Sequence, residues 1–332
     1  MRRRTLLTAA ALAVPADLLD LLDDTLATMP ASPYPPLAAQ INARLAHATT
    51  LYDKGDLATL LSVLPPLLTA AHEAAERDAT PDAYARATDC YVLATEALTK
   101  IGKHPTGRIT ADRATALARA SGSPIAIALA SRALSIVLRH EDRHTLADQI
   151  TLDGLTQLEA TGLTRQPEIA AYAQMLCTSA YTAAHAGDRD RALELIGNAE
   201  QVAARLDGPR PRRPRTITPP QVTLYKVGVH WSLGDAGTAL HTGRALHDSQ
   251  FPTPERRVRL HTDLARAWWQ WNKPEQTLRE LLTAHHHAPD EVRHRASIRT
   301  IATQLIEQHP RTPGTAELRA AVGYGKRSPS HA

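Results

Sequence analysis

The chain has 332 residues, long enough to bury a large core, and its 43% hydrophobic and 22% charged residues are ordinary for a globular protein. Its 38 basic and 34 acidic residues leave a net charge of +4, too small to argue for a nucleic-acid or membrane partner. The two cysteines, Cys90 and Cys177, exclude a disulfide scaffold, a single Phe (Phe251) argues against a wide base-stacking surface, and no uninterrupted apolar run reaches the ~18 residues of a membrane-spanning helix.

Residues 1–35 open on arginines and have two readings. Arg3-Arg4-Thr5-Leu6-Leu7, a short apolar stretch and Val14-Pro15-Ala16 fit a twin-arginine export signal over 1–16. An Arg-led linker helix fits the same residues.

From residue 36 onward the pattern is helical. Pro65-Pro66 predicts a break or kink. Thr80-Pro81, Ser123-Pro124 and Thr253-Pro254 each place a hydroxyl cap before a proline at the first helical position. Thr218-Pro219-Pro220-Gln221 fits a capping box. Ile125–Ala130 (IAIALA) is the best strand candidate, but it alternates with alanine, the strongest helix former. In RDRALELIGNAEQVAARL, Ala192, Leu195, Ile196, Ala199, Val202, Ala203 and Leu206 make one helical face. Gly102, Gly122, Gly162, Gly187, Gly208 and Gly234 stand where helices should close. About a dozen helices with short connections result.

Several motifs imitate chemistry. His140-Glu141-Asp142-Arg143-His144 matches the zinc-peptidase pattern HExxH, which needs one continuous helix with uncharged residues between. Asp142 and Arg143 instead suggest an inter-helix turn, so a zinc metallopeptidase through His140, Glu141 and His144 is the remote alternative. His285-His286-His287 cannot all face one metal, and a polar helix end is expected. The insert 208–220, with four arginines in Pro209–Arg215, reads as an extended solvated loop, with phosphate contact as the alternative. Trp268, Trp269 and Trp271 are expected to pack between helices. Residues 324–332 form a tail, and Gly323-Tyr324-Gly325 lacks the context of a phosphate loop. No catalytic residue, cofactor or metal is expected.

The turns repeat. Gly187-Asp188-Arg189-Asp190-Arg191-Ala192-Leu193 matches Gly234-Asp235-Ala236-Gly237-Thr238-Ala239-Leu240, and Asn272–Leu278 is a third, weaker copy. Gly55-Asp56 opens a similar turn. The intervals are 38 and 47 residues, and removing the 13-residue insert from the second leaves 34, the tetratricopeptide period. Ala284 and Pro289 extend the third copy. The predicted fold is all-α, a tetratricopeptide-like α-α superhelix of stacked hairpins over 36–323, sharing one core.

Three stretches carry a resemblance: LYDKGDLATLLSVLPPLLTAAHEAA (51–75), TPPQVTLYKVGVHWSLGDAGTAL (218–240) and FPTPERRVRLHTDLARAWWQWNKPEQTLRELLTAHHHAPDEVR (251–293). The chain resembles the tetratricopeptide-like C-terminal region of actinobacterial Xre-type helix-turn-helix transcriptional regulators. The resemblance implies a non-enzymatic cytoplasmic module of gene regulation. It does not reach the DNA-binding domain of such regulators, so direct DNA contact is expected only if one lies upstream. An exported helical-repeat binding protein is the alternative.

In tetratricopeptide stacks the first helix of each pair lines a concave groove, at thirteen, ten, six and three residues before the turn glycine. Those offsets share one helical face. Gly187 gives Gln174, Cys177, Tyr181 and Ala184; Gly234 gives Gln221, Leu224, Gly228 and Trp231; Asn272 gives Arg259, Thr262, Arg266 and Trp269. Gln174, Tyr181, Gln221, Trp231, Arg259, Arg266 and Trp269 are the candidate ligand-binding residues. They suit a peptide, small-molecule or protein ligand gripped by its backbone and carboxylates. Lys226 falls at a position that this count would bury.

Overall fold

A computed structural model describes residues 15–29, 36–206 and 217–324. Among them are sixteen α-helices, one 3₁₀ turn and no strand. Helix α1 (Ala16–Thr28) precedes six hairpins: α2/α3 (Ala38–Lys54, Leu57–Asp78), α4/α5 (Pro81–Lys100, His104–Ser121), α6/α7 (Pro124–His140, His144–Glu159), α8/α9 (Gln166–His185, Arg189–Ala203), α10/α11 (Pro219–Ser232, Ala236–Gly243) and α12/α13 (Pro254–Gln270, Pro274–His287). The 3₁₀ turn, Asp248–Gln250, lies before α12, and α14 (Pro289–His294), α15 (Ala296–Gln308) and α16 (Thr315–Ala321) end the fold. The fold is the predicted all-α superhelix, with more helices than the sequence suggested because short elements such as α14 and α16 carry too few residues for a period. The export motif, the arginines of the insert and the tail from 325 lie outside the described residues. The packed body begins before residue 36, since α1 buries Leu22 and Leu26 in the core around α3.

Local chemistry sets the hairpins. Thr80, Ser123 and Thr253 accept from the amides of Ala83, Ala126 and Arg256, as their positions predicted. The capping box at α10 is half formed: Gln221 Oε1 accepts from the Thr218 amide at 3.1 Å, while the Thr218 hydroxyl has no partner. The turn between paired helices uses a left-handed residue, with φ of 80° at Gly187, 81° at Gly234 and 54° at Asn272. Pro65-Pro66 does not break its helix, since α3 runs unbroken to Asp78. Buried Leu60, Leu61 and Leu64 before the prolines, and Leu67 and Leu68 after them, anchor both halves in one core. By length and composition α3 could cross a membrane. Here those leucines are core.

The inner helices α2, α4, α6, α8, α10 and α12 pack side by side, and α12 then packs against α2 while α14 packs against α3. The superhelix therefore closes on itself. The expected open groove becomes a ring around a central chamber.

Gly55 marks the closure. Its φ is 73°, and a Cβ there would sit 2.6 Å from the Cβ of Ala288, just before α14. Gly122 has a φ of 63° and nothing within 4 Å. Gly122→Ala therefore carries backbone strain alone, whereas Gly55→Ala adds a collision across the seam. Gly55→Ala is expected to lower unfolding free energy by roughly 1–3 kcal/mol, and by more than Gly122→Ala, in urea denaturation. Equal losses would show that the seam is not packed.

Candidate functional site: an arginine-rich chamber

The chamber has a volume of about 440 Å³ and is lined by residues from all six inner helices and from α15. Seven cationic side chains line it: Lys100, Arg132, Arg139, Arg256, Arg259, Arg266 and Arg295. Four carboxylates face them, from Asp53, Glu96, Glu255 and Asp263. Such a concentration of guanidinium groups in a partly desolvated space sets a positive potential.

At the seam, Lys100 on α4 donates to Glu255 of α12 at 2.8 Å and to Glu291 of α14. Its ammonium also lies 4.3 Å from the ring centroid of Tyr52 on α2. All three charged side chains are nearly inaccessible to water. Burial alone would push Lys100 down, but Glu255 and Glu291 hold it well above its ordinary value.

Tyr225 of α10 stands among three arginines. Its hydroxyl accepts from Arg132 at 3.2 Å, and Arg259 lies 3.8 Å above its ring. Arg132 also pairs with Glu96 at 2.6 Å. Burial raises the phenol, but Arg259, Arg132 and Arg256 reverse this and bring it to about 7. On α12, Asp263 pairs with Arg266 at 2.6 Å and with Arg259 at 3.6 Å.

An aromatic corner completes the lining. Tyr181 and Trp231 meet edge to face at 6.0 Å, and His185 lies 4.5 Å from Tyr181. A Cβ on Gly228 would come within 2.8 Å of the Tyr181 ring, so only glycine leaves room for this contact. Arg139 lies 4.9 Å over Tyr181 and donates to Thr182 Oγ1 at 3.2 Å. No carboxylate among the described residues pairs with it, and desolvation brings its guanidinium down to about 10. Desolvation and the same charge hold His140 at about 3 and His185 at about 4, so both are neutral at pH 7. The Nε1 donor of Trp231 is buried without a partner.

Six of the seven candidates, Gln174, Tyr181, Gln221, Trp231, Arg259 and Arg266, line this space together. Trp269 does not. It meets His309 edge to face and packs into the C-terminal core. Cys177, Ala184, Leu224 and Thr262, from the same count, are buried outside the lining. Lys226 is half-buried and bonded to Glu200 at 3.0 Å, which resolves the misfit at its position. Gln221 is less free than expected, because its carbonyl caps α10. Sequence reasoning missed Lys100, Arg132, Arg139, Tyr225 and Glu255. The same offsets counted back from Asp142, whose φ is 58°, reach Arg132, Ile136 and Arg139.

The imitation motifs resolve structurally. His140 ends α6 and His144 begins α7, so the HExxH residues span the expected turn and the two histidines do not share a helix. His140 stacks on His104 at 4.5 Å. Trp268 stacks on Trp271 at 6.0 Å, but Trp271 is 51% exposed, contrary to the expectation that all three tryptophans pack between helices. His285-His286-His287 does end a helix, α13, as expected.

No protein-family model matches the chain, and no curated protein matches it.

Proposed function

We propose that this protein is a non-enzymatic helical-repeat binding module of transcriptional control, whose chamber takes a small anionic molecule or the carboxylate end of a short peptide. Arg139 carries the reading. It is a buried cation with no carboxylate of its own, beside an aromatic corner and an unpartnered tryptophan donor. A guanidinium so placed gains a charge-assisted, bidentate partner when an anion enters. The volume of about 440 Å³ suits a small molecule or a few residues of peptide rather than a folded protein. The regulatory role rests on the resemblance of residues 51–75, 218–240 and 251–293 to Xre-type regulators.

Native mass spectrometry of the purified chain should detect a co-purifying small anion or peptide. Thermal-shift measurements with citrate, inorganic phosphate and short peptides bearing free or amidated C-termini would define the preference. An anionic probe is expected to raise the melting temperature, and Arg139→Gln to weaken its binding at least about tenfold, as loss of a charged hydrogen bond does. The binding reading fails if no anionic probe or co-purified molecule stabilises the protein, or if Arg139→Gln binds as tightly as the wild type. Unchanged transcript levels after deletion of the gene would remove the regulatory part.

A further inference from the structure

A second cluster lies behind the chamber wall. Asp248 in the 3₁₀ turn, His261 on α12 and His287 at the end of α13 come together from three elements. Their ligand atoms all lie within 4.8 Å of one another, and all three side chains are half-buried. His261 Nε2 is 3.0 Å from Asp248 Oδ1, and His287 Nε2 is 2.7 Å from Asp248 Oδ2. The two imidazoles are nearly parallel, with centroids 5.6 Å apart. On the far side of His261, Glu280 Oε2 is 2.7 Å from Nδ1.

We propose that Asp248, His261 and His287 form a binding site for a divalent transition-metal ion, zinc above all. Two imidazole nitrogens and one carboxylate oxygen are a zinc-type donor set, not the all-oxygen set of calcium or magnesium. Three protein ligands leave a position for water or a further ligand. Glu280 supplies what a bare ion pair does not need. It fixes the tautomer and the rotation of His261 by binding the nitrogen that faces away from the metal, the arrangement found behind metal-bound histidines. The histidine tract takes part through its last member only. His286 turns elsewhere, its Nδ1 being 2.7 Å from the Leu282 carbonyl.

The site has a structural consequence. Gln250, the last residue of the 3₁₀ turn, and Pro252 and Thr253 just after it line the chamber. An ion tying Asp248 to α12 and α13 fastens that part of the wall. The proposal does not depend on which ligand the chamber takes.

Cobalt and zinc ions are the probes. The full chain is treated with chelator, dialysed and titrated with Co²⁺ in the visible ligand-field region, then with Zn²⁺ by calorimetry. One ion per folded chain is expected, with intense low-symmetry cobalt bands that zinc displaces. His287→Ala and Asp248→Asn should weaken binding at least about hundredfold, and Glu280→Gln roughly 10–100-fold. The double variant His285→Ala/His286→Ala should bind as the wild type does. If His287→Ala fails to fold by circular dichroism, His287→Gln replaces it. Absence of stoichiometric binding by the folded wild type overturns the proposal. So do cobalt bands that survive loss of His287, or that disappear from the double variant.

Discussion

Replacing Lys100 with methionine is expected to lower the unfolding free energy by about 3–5 kcal/mol, the cost of breaking a buried ion pair from one side. Lys100 lies between Glu255 and Glu291, and all three are almost fully shielded. Methionine keeps most of the volume and removes the charge. Two buried carboxylates then lose their shared ammonium, and Arg256, 3.3 Å from Glu255, the more distant Arg259, and Arg295, 3.9 Å from Glu291, compensate only in part. The contacts join α4 to α12 and α14, across 155 and 191 residues of chain. The loss should therefore open the seam as well as destabilise the fold, and should weaken the anion binding proposed for the chamber. Urea denaturation measures the first effect, and proteolysis of the native protein around α14 the second. The triple variant Lys100→Met/Glu255→Gln/Glu291→Gln should recover much of the loss, because replacing every charge leaves none unpaired. A loss below about 1 kcal/mol for Lys100→Met would place the network among surface pairs of little value.

This network also shows where sequence reasoning stops. The hairpins were legible because their punctuation is local: Gly187 and Gly234 close helices, and Thr80, Ser123 and Thr253 cap them, each within a few residues. The inner face of α8, α10 and α12 was legible for the same reason, since a fixed offset from a turn residue selects one side of a helix. The offset fails where a helix gains an unforeseen neighbour. Trp269 sits at the last turn of α12, where the C-terminal core covers it. Arg132 and Arg139 escaped because the α6–α7 turn uses Asp142 in the left-handed conformation, not glycine, and carries no repeat signature. That segment matches a zinc motif in sequence, yet its Asp142 is the turn residue from which the offsets count. Ring closure was out of reach. Nothing in the local pattern of Lys100, Glu255 or Glu291 tells that they will meet, because closure depends on the small rotation accumulated over every repeat. The cluster of Asp248, His261 and His287 has a nearer origin: its members lie 13 and 39 residues apart, and the packing of α12 on α13 beside the 3₁₀ turn brings them together.

Tyr225 is expected to ionise with a midpoint of about 7, far below the other perturbed tyrosines. Tyr52, Tyr91, Tyr172, Tyr181 and Tyr324 are all pushed upward. A near-neutral phenolate band from one of the eight tyrosines should therefore stand clear in the ultraviolet, and Tyr225→Phe should remove it. The consequence for stability has a definite sign. The phenol ionises near 10 in the unfolded chain. Between pH 7 and 10 the unfolded state thus holds a proton that the folded state has released, and folding gains with rising pH. The gain is complete above 10 and is lost as pH falls through 7. The difference in unfolding free energy between wild type and Tyr225→Phe should grow from pH 7 to pH 9, with a ceiling of about 1.4 kcal/mol per unit. Ligand binding should answer in the opposite sense. A phenolate already satisfies Arg132, Arg259 and Arg256, so an entering anion competes with it. An anionic ligand should bind more weakly at pH 8 than at pH 6.5 in the wild type, and with much less pH dependence in Tyr225→Phe. A tyrosine spectrum that shows no ionisation below about pH 9 would mean that burial, not the three guanidinium groups, governs this phenol.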